Sequence, residues 1–256
     1  MFKKGEGFID RVGEIHKNKA GEQFVIINYR RSSDLDVKFE DGTVVTNRRY
    51  KEVVTGQIKN LNSPSIFGVG YLGYGKHTAY IDGNRTKKDR YWRGMFRRCY
   101  SETELVKHPT YKYVVVGSEW CNFQVFSEWF YESYNSKVMV DWHLDKDILI
   151  KGNKVYSPKT CCFVPAEINQ LFVKCDKSRG DLPIGVFRSG DKYRVAVRKG
   201  KGLRVYLGTF DTIEGAFKAY KSTKEKHIKE VAEKYKNQIT EQTYRALINY
   251  QVEITD

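Results

Sequence analysis

The chain has no pair of cysteines in CxxC spacing, and its five cysteines (Cys99, Cys121, Cys161, Cys162 and Cys175) are an odd number. That spacing argues against a cysteine-rich zinc site and for buried, reduced thiols of the cytosolic kind. No run of about 18 apolar residues occurs, so no membrane-spanning helix is expected. The opening MFKKGEGFIDRVGEIHK is charged and lacks the apolar stretch of a signal peptide, which points to the cytoplasm. Negative charge is scarce as well: 31 Asp and Glu stand against 45 Lys and Arg, a net charge of +14.

An excess of that size bears on partners rather than on fold. Nucleic acid is the expected partner, because phosphates accept basic side chains and release counterions. With 256 residues the chain can bury a sizeable core in one to three domains. Its 18 Tyr, 14 Phe and 4 Trp predict a packed globule rather than a disordered basic tail.

Residues 1–60 read as a small β domain. EQFVIINY (22–29), LDVKFEDGTVV (35–45) and EVVTGQI (52–58) are β-branched runs separated by turn chemistry at Asn18–Gly21 and Asp41-Gly42. A small barrel or a curled sheet would accommodate them. They carry no catalytic constellation, which leaves a host protein as a candidate partner for this segment. The glycine-rich stretch SPSIFGVGYLGYGKH (63–77) lacks the Lys-Ser/Thr ending of a nucleotide loop and reads as a connector. Residues 61–140 then turn helical. DRYWRGMFRRCYSE (89–102) sets Trp92, Met95, Phe96 and Cys99 on one face. SEWCNFQVFSEWFYESY (118–134) does the same with Trp120, Phe123, Phe126 and Phe130, with Ser118 as its cap.

The segment 180–236 alternates and then becomes helical. Tyr193, Val195 and Val197 point one way in a strand; Arg194, Ala196 and Arg198 point the other. Arg204 and Tyr206 oppose Val205 and Leu207 in the next. Three strands are expected, near 184–188, 192–198 and 204–209. A helix then starts at a capping box of Asp211 and Glu214 and carries Ile213, Ala216, Phe217 and Tyr220 as its apolar stripe. The helix should cover one sheet face and leave the arginines on the other. Guanidinium forks on such a sheet suit guanine edges and phosphates in a major groove. Residues 237–256 read as a tail.

The run GVF…YRVAVR…RVYLGTFDTIEGAFKAY strongly resembles the DNA-binding domain of the Apetala/ethylene-response-factor type. The resemblance covers about a fifth of the chain. It implies a three-stranded sheet in the major groove of double-stranded DNA, with Arg198, Arg204 and Tyr206 at matching positions; Arg194, from the alternation, and Arg188, next to Phe187, complete the expected contacts. Phe187 stands where that family often has arginine.

Upstream, residues 141–176, with LDKDILIKGNKVYSPKTCCFVPAEINQLF, resemble the HNH, or ββα-metal, endonuclease finger. The resemblance implies that Asp145 and Asn169 hold a divalent cation, Mg²⁺ by preference, with Asp147 as a further carboxylate. It implies catalytic roles for His143, Asp145 and Asn153. Lys146 occupies the position where the family usually has histidine, and His143 is the displaced candidate for general base. His143, Asp145 and Asp147 share one side of an extended strand, and Lys146 faces away.

The expected class is therefore α+β and multi-domain. It comprises a small β domain, a helical region with a ββα finger, and a sheet-plus-helix module. An HNH-like finger followed by an Apetala-like domain resembles the homing endonucleases of bacteriophages and mobile elements. That likeness implies metal-dependent cutting of DNA in a host cytoplasm. The alternative is a non-catalytic DNA-binding or anti-defence protein that keeps the finger as a scaffold.

Overall fold

Asn18 shapes the first hairpin. Its side-chain oxygen accepts the amides of Ala20 and Glu22 at 2.9 and 3.0 Å, and Gly21 turns the chain at φ 86°. In the computed structural model, which describes residues 9–173, 181–200 and 203–256, this turn joins β1 (Ile15–Lys17) to β2 (Gln23–Arg31). Asp41 accepts the Thr43 amide and makes the turn between β3 (Asp34–Phe39) and β4 (Val44–Arg48). The four strands form an antiparallel meander in chain order. Phe24, Ile26, Leu35, Val37, Phe39 and Val45 are buried on one face.

The sheet is open, not a barrel. β1 has three residues and β4 five, and neither edge finds the other. The run at 52–58, expected as a strand, instead belongs partly to α1 (Tyr50–Val54). The Glu52 carboxylate accepts the Arg49 amide at 2.9 Å, which starts the helix, and only Val53 within it is buried. Two adjacent valines read as strand, but this cap and the turn at Gly56 (φ 63°) decide locally.

Contacts divide the chain into two units. One comprises Met1–Thr78 with Asn122–Gln124; the other comprises Ala79–Cys121 with Val125–Asp256. Within the first, the glycine-rich stretch wraps around two amide side chains. Gln124 accepts the His77 amide and donates to the carbonyls of Leu72 and His77. A Cβ on Gly73 or Gly75 would lie 2.4 Å from the side-chain oxygen of Asn122 or Gln124. The glycines are there to admit those amides.

The second unit opens with the short hairpin β5 (Tyr80–Ile81) and β6 (Asn84–Arg85). Then α2 (Lys87–Tyr100) starts at Thr86, whose hydroxyl accepts the Asp89 amide. Its stripe of Trp92, Met95, Phe96 and Cys99 is buried as the spacing predicts. A short α3 (Glu102–Lys107) and β7 (Val115–Val116) follow. The single helix expected over 118–134 is two, α4 (Ser118–Cys121) and α5 (Phe123–Ser133). Between them the Asn122 side chain accepts the Gln124 amide at 2.9 Å, a local bond that competes with helix. Ser118 is the first residue of α4 rather than a separate cap. The Trp92 indole donates to the Trp120 carbonyl at 2.7 Å and ties the two helical stretches together.

β8 (His143–Asp145) pairs antiparallel with β10 (Cys162–Val164), and β9 (Val155–Tyr156) pairs parallel with β7. α6 (Ala166–Leu171) follows. Phe163 of β10 packs its ring against Tyr91, Trp129, Phe130 and Tyr134. The finger-like segment is thus built into the aromatic core of the helices. Cys99, Cys161 and Cys162 are buried, Cys121 is half-buried, and all four are unpaired. Burial pushes the Cys161 and Cys162 thiols up to about 12. Cys175 lies outside the described residues.

The last module is an antiparallel sheet of β11 (Val186–Ser189), β12 (Lys192–Arg198) and β13 (Arg204–Phe210), covered by α7 (Ile213–Tyr235). Part of the turn at 199–202 lies outside the described residues. Gly185, at φ 77°, lets Tyr220 of α7 pack onto the chain; a Cβ there would meet its ring at 2.1 Å. Thr212, not Asp211, caps α7, its hydroxyl accepting the Gly215 amide at 3.1 Å. Asp211 instead pairs with Lys192, and both are well exposed. Thr212→Ala is therefore expected to cost about 1 kcal/mol. Asp211→Ala should cost a few tenths at most. Thermal melts of the two variants check the assignment.

The expected tail at 237–256 folds. Thr240 caps α8 (Glu241–Ile248), and Ile239, Thr243, Leu247 and Val252 are buried. Among the described residues no helix is long and apolar enough to cross a membrane. The class is mixed α+β with several small sheets and no closed barrel.

Candidate nucleic-acid interface

Register decides which side chains of the last sheet share a face. Phe187 pairs with Arg194, Arg194 with Thr209, Ala196 with Tyr206, and Arg198 with Arg204. Val186, Val195 and Val197 are buried on the side of α7, as the alternation predicts. The opposite side presents Phe187, Arg194, Ala196, Arg204, Tyr206 and Thr209 around a shallow concavity. Tyr206 is 56% exposed. The Arg204 guanidinium lies 5.7 Å from the centre of the Phe187 ring, reaching diagonally over the short side chain of Ala196. Among the described residues no carboxylate pairs with Arg194 or Arg204. Two cations on this face therefore have no neutralising carboxylate among the described residues.

Thr209 was not legible as part of this face. Period 2 puts it with Val205 and Leu207, on the covered side. The ladder slips by one residue: Val195 faces Gly208, but Ala196 faces Tyr206, so Leu207 is left without a partner. Gly208 takes φ 125° at this bulge. Tyr206 and Thr209 then lie on one side, three residues apart, with their hydroxyls hydrogen-bonded at 2.5 Å. The glycine inside a strand pattern is the one signal that could have revealed it.

Two expected contacts sit elsewhere. Arg188 pairs across from Tyr193 and stands over that ring, 5.6 Å from its centre. Its alternation matches Val186, not Phe187, so it lies on the rim of the helix-covered side. The second β11 residue, Phe187, takes the open-face place. Arg198, though exposed, lines a separate cleft with Glu167 and Gln170 of α6 and His227 of α7. Its charge reaches Lys224, which is only 8% exposed. Burial, with Arg198 adding to it, lowers the Lys224 pKa to about 8.

The finger's polar residues are occupied by its own loop. Asp145 is paired with Cys162, and a single carboxylate oxygen accepts the amides of Asp147 and Ile148 at 2.7 and 2.8 Å. Burial holds its carboxyl above the ordinary carboxylate range, against the pull of those two amides. The strand expected to carry His143, Asp145 and Asp147 on one side ends at Asp145, so alternation does not extend to Lys146, which lies just beyond it and is 6% exposed. Its ammonium bonds the Asp147 carboxylate at 2.7 and 2.8 Å and the Asn153 carbonyl at 3.0 Å. The Asn153 amide donates to the carbonyls of Lys146 and Val155 and accepts from the Val155 amide. His143 is exposed at the start of β8, and Asn169 is half-buried on α6.

Among the described residues no three His, Cys, Asp or Glu side chains converge on a point that a metal ion could occupy. Asp145 serves the loop, Asp147 is matched by a lysine, and Asn153 staples the turn. As arranged, these donors do not fit a divalent cation.

No protein-family model, curated protein or solved structure matches the chain.

Proposed function

We propose that the chain is a duplex-DNA-binding protein whose last sheet enters a major groove, and whose finger is a folded scaffold rather than a cutting site. The observation that carries this reading is the open sheet face, where Arg194 and Arg204 stand beside exposed Tyr206 without carboxylate partners among the described residues. A polyanion is the counter-charge such a face lacks, and a guanidinium fork suits both guanine edges and phosphates. The net charge of +14 supplies long-range attraction. Lys146 supports the scaffold role, because its ammonium supplies the positive charge beside Asp147 inside the loop.

A metal-dependent HNH-like endonuclease is the second reading. It is favoured by one observation: His143 is exposed and shares a strand face with Asp145. Supercoiled DNA with Mg²⁺ or Mn²⁺ separates the two. The scaffold reading expects no nicked product. Nicking by the parent chain that disappears in both His143→Ala and Asp145→Asn would establish the second reading in its place.

Stability reports on the same residue. The raised Asp145 pKa means that the folded chain binds this proton more readily than the unfolded chain. Its contribution to stability is therefore present at low pH and lost as pH rises through the folded value. Asparagine keeps an oxygen for the two amides and removes the buried charge. Asp145→Asn is expected to melt at or above the parent temperature at pH 7. Asp145→Ala strands two amides and should lose about 1–3 kcal/mol. A destabilised Asp145→Asn would show that the charge itself is needed in the loop.

A further inference from the structure

The concavity on the open sheet face has a methyl floor. Ala196 sits on the central strand, between Arg194 and Arg198 in sequence and opposite Tyr206 in the ladder. Phe187, Tyr206 and the Arg204 side chain stand around it. Because Ala196 is short, Arg204 can cross above it and rest its guanidinium on Phe187. The stacked ring limits where the fork can point, so its donors are aimed rather than free. A surface meant only for phosphates has no use for two aromatic rings and an alanine at its centre. Base edges do, since the C5-methyl of a pyrimidine is the one apolar group exposed in the major groove.

We infer that the hollow over Ala196, walled by Phe187, Tyr206 and Arg204, takes the C5-methyl group of a pyrimidine. This rests on the duplex-binding reading above and makes the face a specificity element rather than a general cationic one. Thymine and 5-methylcytosine both supply the methyl. Stacking of unpaired bases is the competing use of exposed aromatics. It is disfavoured here because the Phe187 ring is half-buried and already lies under Arg204, leaving Tyr206 as the one exposed ring on this face among the described residues.

The test uses the full chain and a duplex selected from a random pool for tightest binding. Each thymine is replaced singly by uracil, which removes the methyl alone, and each cytosine singly by 5-methylcytosine. At one position, losing or gaining the methyl should change affinity about fourfold, the worth of one such group taken out of water. A response in the uracil arm identifies thymine as the source; a response in the methylcytosine arm alone identifies the modified base. In Ala196→Leu, which fills the hollow, the ratio between methylated and unmethylated duplex should fall to one. Phe187→Ala, which removes the wall and the support of Arg204, should lower the same ratio and guards against a misfolded leucine variant. Equal affinities at every position, or a ratio that survives Ala196→Leu, would overturn the inference while leaving duplex binding intact. Tighter binding to the single strand would also overturn it. Absence of any duplex binding would instead overturn the functional reading beneath it.

Discussion

A chain carrying Arg194→Ala and Arg204→Ala together is expected to bind duplex DNA at least about thirtyfold more weakly than its parent. Each guanidinium that reaches a base edge contributes roughly 1–3 kcal/mol, and about 1.4 kcal/mol is a factor of ten. Both side chains leave the same sheet face, and no carboxylate among the described residues competes for them. Their loss is therefore not buffered by a carboxylate among those residues. Arg188→Ala is the informative companion. It sits on the rim of the other face, over Tyr193, and should change affinity by about threefold or less. Titrations at two salt concentrations divide the effect further. Losing a contact to phosphate flattens the dependence on salt, whereas losing a contact to a base lowers affinity with the slope preserved. If the double variant binds as the parent does at moderate salt, the sheet has no part in recognition and the proposed function fails with it.

Lys224→Met is expected to stabilise the second unit by about 2–3 kcal/mol at neutral pH. The lysine is buried on α7, and no carboxylate pairs with it among the described residues. Burial, and the like charge of Arg198, pull its pKa to about 8 from an ordinary value of 10.5. A folded pKa below the unfolded one makes the chain more stable as pH rises from about 8 toward 10.5, because the unfolded chain holds the proton longer. Methionine keeps the length of the stem and removes the ammonium. The gain should be largest near pH 7, worth roughly 5–10 °C in melting temperature for a unit of this size, and should fade above pH 10. A variant that melts lower than the parent at pH 7 would mean that the ammonium has an anionic partner when the chain is folded.

Much of the fold could be read from the residues because the decisive signals were local. Alternation around Val195 and Val197 placed the buried side of the last sheet, and the stripe of Trp92, Met95, Phe96 and Cys99 placed the buried face of α2. What escaped was set by bonds that patterning does not encode. The Glu52 cap turned an apparent strand into α1, and one Asn122 side chain split a helix. The last twenty residues looked polar enough for a tail because only every third or fourth residue of α8 is buried. At the candidate site the arginines were legible as a group but not as individuals. Arg188 and Arg198 left the group once register and neighbours were fixed. For the finger, spacing alone could not show that Asp145 and Asn153 spend their hydrogen bonds on their own loop.

The unpaired Leu207 has a wider consequence. Removing that single residue would restore simple alternation to β13 with Tyr206, Thr209 and Arg204 all still outward, Tyr206 and Thr209 now two positions apart instead of three. The extra residue thus sets how the strand bends and how its two outward hydroxyls are spaced, rather than which groups line its outer half.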